Sequence, residues 1–136
     1  MVKKNLSVIT LILAVLILVL GYVLYEKYIV PFNQNNSSKT RSIVLDKDHH
    51  LVLTKQKDQG KIFSLELEIT GNAADIVEII ISNPSKTTAY NARIKGGEID
   101  FDYINDWYDD TCILDIQATK TSSDKLTIES RFIGTK

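Results

Sequence analysis

Phe63-Ser-Leu-Glu-Leu-Glu-Ile-Thr70 alternates apolar and polar side chains without a break. Successive side chains of an extended chain point to opposite faces. Phe63, Leu65, Leu67 and Ile69 therefore fall on one side, and Ser64, Glu66, Glu68 and Thr70 on the other. This is the pattern of a strand in a sheet with one wet face. The same period recurs downstream. Ile99, Phe101 and Tyr103 alternate with Asp100 and Asp102, and Cys112, Leu114, Ile116 and Ala118 with Ile113, Asp115 and Gln117. Leu126, Ile128, Ser130 and Phe132 alternate with Thr127, Glu129 and Arg131, and Tyr90, Ala92 and Ile94 with Asn91, Arg93 and Lys95. Ile76 to Ile81 is almost continuously apolar, which predicts a central strand covered on both sides.

Turn chemistry separates these runs at Asp58-Gln-Gly60, Gly71-Asn72, Asn83-Pro84-Ser85, Gly96-Gly97 and Thr121-Ser-Ser-Asp124. Two shorter strands are expected near Ile43–Leu45 and Leu51–Thr54, with Asp46 to His50 as their connection. The sum is an all-β domain, an antiparallel β-sandwich of about seven or eight short strands, immunoglobulin-like or jelly-roll-like. Alternation assigns faces and not neighbours, so strand order stays open.

Upstream the pattern changes completely. Leu6 to Tyr25 holds only Ser7, Thr10 and Gly21 as weakly polar members and no charge. As a helix it would rise about 30 Å, the thickness of a bilayer's hydrocarbon core. Tyr22, Tyr25 and Tyr28 recur where amphipathic rings settle at a membrane surface, and Pro31 ends any helical continuation. A cleaved signal peptide has a shorter apolar region and a small-residue cleavage site. Here Gly21-Tyr-Val-Leu-Tyr-Glu26 follows instead, so a retained signal anchor is expected. Lys3 and Lys4 favour a cytoplasmic N-terminus and an extracytoplasmic C-terminal domain. The expected layout is a short cytoplasmic tail over 1–5 and a transmembrane helix with interfacial extension over 6–30. A polar linker over 31–41 and the sandwich over 42–136 complete it. Asn35 and Asn36 begin N-x-S patterns in that linker.

The chain has 136 residues, 44% of them hydrophobic and 24% charged, with a formal net charge of −1. Outside the apolar segment too little remains for a large α/β enzyme, and one span excludes a multi-pass transporter. Residues 96–119 carry seven acids and no Lys or Arg, whereas residues 33–61 carry six bases against three acids. No dense basic stripe exists, which argues against nucleic acid as a partner.

Three constellations could carry chemistry. Cys112 with His49 or His50 is the one available Cys–His pair, but an inward cysteine beside acids makes a poor nucleophile, and a buried structural role is expected. Asp46, Asp48 and His50 could share a strand face for a divalent metal; His49 and His50 would point to opposite faces. Asp106-Trp-Tyr-Asp-Asp110 is the most distinctive segment. Its carboxylates suit Ca²⁺, although the spacing lacks an EF-hand register. Trp107 and Tyr108 could stack on a sugar or anchor a protein, and the competing reading has Trp107 capping the core while the aspartates solvate a turn.

No G-x-S-x-G, H-E-x-x-H, phosphate-binding glycine loop or C-x-x-C is present, so no enzyme, catalytic residue, bound metal or cofactor is expected. The expected function is that of a single-pass anchored sandwich. It would contact the bilayer through residues 6–25 and bind a protein near the membrane through the loop of Asp106, Trp107, Tyr108, Asp109 and Asp110, as an inhibitor, immunity-type or envelope accessory protein. The alternatives are a calcium- or carbohydrate-binding module and a self-assembling envelope subunit.

Overall fold

The computed structural model describes residues 2–25, 27 and 37–135, with side chains of the N-terminal helix described from Thr10 onward. The chain divides into two compact units, residues 1–34 and 35–136.

The first unit contains α1 (Val2–Leu24). Its run of straight-chain and branched aliphatic residues has no internal proline and satisfies its own backbone groups as a helix. Every large apolar side chain described between Leu11 and Tyr25 is exposed. Among the described residues no helix is long and apolar enough to cross a membrane. Tyr22 and Tyr25 are exposed, at 62% and 50%. The side chains of Lys3 and Lys4, and Tyr28, Pro31 and the two N-x-S asparagines, lie outside the described residues.

The second unit is a two-sheet antiparallel sandwich of eight strands: β1 (Lys39–Val44), β2 (His49–Thr54), β3 (Ile62–Ala73), β4 (Val77–Ser82), β5 (Thr88–Ile94), β6 (Gly97–Asp106), β7 (Thr111–Ala118) and β8 (Lys125–Gly134). The first sheet has the order β1-β8-β3-β6 and the second β2-β7-β4-β5. Every pairing is antiparallel. Only the β4–β5 hairpin stays within one sheet, and every other connection crosses to the opposite sheet. That order is the jelly roll, two Greek keys folded over one another, and it decides against the immunoglobulin-like alternative.

The strands form where alternation puts branched and aromatic side chains on one face. Leu65, Leu67 and Ile69 of β3 meet Ile79 and Ile81 of β4 and Leu114 and Ile116 of β7 in a single buried cluster, each at most 2% exposed. At roughly 1.5–3 kcal/mol for each fully buried aliphatic side chain, these inward rows supply the bulk of the stabilisation.

Two boundaries differ from the sequence expectation. Residues 39–41 belong to β1 and not to a linker, because Lys39 through Val44 pair with Ser130 through Lys125 of β8. β1 is an edge strand whose first four residues are exposed, so backbone pairing holds it without an apolar alternation to announce it. β4, expected to be covered on both sides, presents Glu78 and Ile80 half-buried on an outer face.

On the β1–β2 side, side chains lace the edges. Lys39 Nζ donates to the Thr54 carbonyl at 2.8 Å, and His49 Nε2 donates to the Val44 carbonyl at 2.6 Å. The β2–β3 connection is pinned by Gln59, only 4% exposed, whose Nε2 donates to the Phe132 carbonyl at 2.6 Å.

Gly71 sits mid-strand in β3 between Leu126 and Ile99, at φ 144°. A Cβ there would stand 2.2 Å from the Lys125 carbonyl oxygen and 3.1 Å from Leu126 Cα, both rigid backbone. Gly71→Ala is expected to cost about 3 kcal/mol or more, read as a lowered denaturant midpoint of the full-length protein.

Candidate functional site

Residues 107–110 join β6 to β7, and the structure separates their roles. Trp107 is 5% exposed and belongs to the core. Its backbone N–H donates to the Phe63 carbonyl at 3.2 Å, continuing the β3–β6 ladder past the end of β6. Its indole Nε1 donates to the Thr111 carbonyl at 3.3 Å. The expectation that Trp107 stacks on a sugar or anchors a partner is therefore corrected: its large apolar ring gains more by closing the end of the sandwich than by standing in water. Tyr108 is the opposite case, 69% exposed. Asp110 Oδ1 is 2.9 Å from Lys55 Nζ, and the Lys55 N–H donates to the Asp110 carbonyl at 3.0 Å, which ties the loop to the end of β2. Asp106 and Asp109 are exposed. Among the described residues no group of three His, Cys, Asp or Glu side chains is placed to hold a metal ion, so Asp106, Asp109 and Asp110 do not converge as Ca²⁺ ligands.

Cys112 is fully buried opposite Leu53, and burial pushes its thiol up to about 12. The histidines diverge. His49 faces Val44 and lies 3.9 Å from Asp46, whereas His50 lies on the outer face with Nδ1 2.5 Å from Asp115 Oδ1. No Cys–His pair forms.

The two outer faces of the sandwich differ in chemistry. On the β1-β8-β3-β6 sheet, Glu68 stands directly opposite Glu129 on one side and Asp102 on the other. Like charges in that relation repel. Arg131 relieves part of this, with Nη1 3.2 Å from Glu66 and Nη2 3.7 Å from Glu129. Glu98, Asp100, Asp102 and Asp106 project from β6 at alternate positions, and in the same row stands Ile104, 71% exposed. β6 leads directly into Tyr108, so one acidic band carries two exposed apolar side chains.

On the β2-β7-β4-β5 sheet, three outward positions that alternation would make polar are apolar. Val52 stands opposite Ile113, and Ile80 lies one register step away, opposite Asp115. Around Ile80 and Ile113 lies a depression of about 270 Å³ rimmed by His50, Asp115, Ser82, Lys86 and Thr88. Lys86 occupies the left-handed position of the β4–β5 turn at φ 61°, its N–H donating to the Asn83 carbonyl at 2.8 Å. The sequence signal for this face was present in the two breaks of alternation, Ile80 and Ile113. The meeting of His50 with Asp115, 65 residues apart, had none.

No protein-family model matches the chain, and no curated protein matches it. Among solved structures it is similar to the mitogen derived from Yersinia pseudotuberculosis, at 13% identity over 71% of this chain and 85% of that one, with a TM-score of 0.45. It is also similar to a point variant of a family 29 carbohydrate-binding module, at 15% identity over 74% of this chain and 84% of that one, with a TM-score of 0.38. At these values the likenesses carry no inference about a ligand or partner.

The two loop aromatics should separate on truncation. Trp107→Ala is expected to cost about 3–5 kcal/mol, and Tyr108→Ala to stay within about 0.5 kcal/mol, by equilibrium unfolding. Alkaline pH offers a second check. Burial holds the Cys112 thiol protonated toward pH 12, and burial also raises the Tyr103 phenol against a lowering hydrogen bond from Asn105. The unfolded chain releases these protons near pH 9 and 10 while the folded chain keeps them. Stability is therefore complete below pH 9 and falls as pH rises toward 12. Cys112→Ala should flatten the early part of that fall in denaturation curves recorded at successive pH values.

Proposed function

We propose that this chain is a membrane-anchored β-sandwich that binds another macromolecule close to the bilayer, in an inhibitor, immunity-type or envelope accessory role. The observation that carries the reading is the pair Ile104 and Tyr108, the two most exposed large apolar side chains of the sandwich, set among the carboxylates of β6 and its following loop. Apolar and aromatic side chains that can be desolvated dominate binding energy, while a surrounding single-sign field sets orientation and on-rate. The partner that fits is a protein offering an apolar cleft ringed by Lys and Arg. Trp107 acts beneath this surface as a support for the loop.

Anchoring rests on the charge-free sequence from Leu6 to Tyr25 and on the exposure of every described large apolar side chain between Leu11 and Tyr25. A helix apolar on all sides needs a covering, and lipid supplies one. Lys3 and Lys4 favour a cytoplasmic N-terminus with the sandwich outside. Residues 26–38 can span at most about 45 Å, which keeps the partner near the membrane.

The test is in situ cross-linking of the full-length protein in its own membranes. The expected partner is a basic protein, lost with Ile104→Arg and weakened tenfold or more with Asp100→Asn combined with Asp102→Asn, with no loss of melting temperature in either variant. A cross-linked partner that survives Ile104→Arg would overturn the assignment of this face. Release of the chain by alkaline carbonate would overturn the anchor.

A further inference from the structure

We infer that the depression on the outer face of the β2-β7-β4-β5 sheet is a binding site for one ring of a saccharide. Its floor is Ile80 and Ile113, both half-buried and both at positions where alternation calls for a polar side chain. The two β-branched side chains lie on a diagonal between β4 and β7, Ile80 opposite Asp115 and Ile113 opposite Ser82, and give a half-buried apolar floor for the C–H face of a ring. The volume, about 270 Å³, lies just below the range of drug-sized pockets, which suits a single ring.

The rim selects among small ligands. Asp115 and Lys86 bring opposite charges to the same depression, so the site has no net preference for an anion or a cation. It offers instead a matched set of hydrogen-bonding groups. The Asp115 carboxylate accepts and the Lys86 ammonium donates, while the Ser82 and Thr88 hydroxyls do both. Asp115 also fixes the His50 ring through Nδ1, at 2.5 Å. A ligand with hydroxyls around an apolar body satisfies such a rim, and a saccharide is that ligand.

Lys86 holds φ 61°, a conformation that glycine or asparagine adopts with less strain. The hydrogen bonds of the β4–β5 turn hold that conformation, and the turn brings Lys86 to the rim.

Lys86→Gly separates function from folding, because glycine keeps the turn and relieves the strain while deleting the ammonium. The measurement is methyl NMR of isoleucine-labelled full-length protein in phosphocholine micelles, titrated with cellotriose, maltotriose, chitotriose and mannotriose. Saturable shifts are expected at Ile80 and Ile113 with at least one of the four, and none at Ile104 on the other sheet. Lys86→Gly should raise the melting temperature yet weaken that glycan tenfold or more, and Asp115→Asn should weaken it similarly. Ile104→Arg, which disrupts the proposed protein-binding face, should leave the shifts unchanged. No saturable shift with any of the four glycans, or equal binding by Lys86→Gly, would overturn the site.

Discussion

The burial of two inward rows of side chains against each other is the condition on which the rest of this domain rests. Because every connection except β4–β5 crosses between the sheets, neighbours in sequence are seldom neighbours in a ladder. No isolated hairpin carries the fold. β3 shows the dependence most clearly. It pairs with β6 on one side and β8 on the other, and buries Leu65, Leu67 and Ile69 against β4 and β7. Trp107 and Gln59 make sense only on this frame, one closing an end of the core and the other fastening a connection to β8.

With the core accounted for, the outer faces are free to differ. One accumulates carboxylates to the point of self-repulsion, with Glu129, Glu68 and Asp102 abreast and Arg131 as the nearby cation. The core tolerates that cost, since an exposed charge pair contributes at most about 1 kcal/mol. Charge on β6 also blunts an exposed strand edge. The other face is electrically mixed and partly apolar.

β3, β6, β7 and β8 were legible in the sequence because each has one buried and one wet face, and period-two alternation records that difference. β1 was legible only at its buried end, since edge residues such as Lys39 and Arg41 are exposed and leave no apolar trace. The choice between sandwich topologies was not legible, because alternation reports which way a side chain points and not which strand lies beside it. At the acidic loop, both roles of Trp107 could be stated from the sequence, but its burial depends on the Phe63 carbonyl 44 positions away in the chain. Ile80 and Ile113 were visible as irregularities, yet their adjacency needed the β4–β7 register. Lys86 could not have been singled out, since Asn83-Pro84-Ser85 already announces a turn without revealing which residue turns left-handed.

The pairing of β1 with β8 has a consequence for biogenesis. Lys39 of the first strand faces Ser130 of the last, and Ser130 Oγ donates to the Lys39 carbonyl at 3.3 Å across 91 positions. The first strand to leave the ribosome is thus the one that waits longest for its mate. Until the final segment emerges, β1 has an empty slot beside it and β3 lacks one of its two neighbours. The domain must be synthesised through β8 before its first sheet can close, so the nascent chain holds β1 and β3 incompletely paired until that strand arrives.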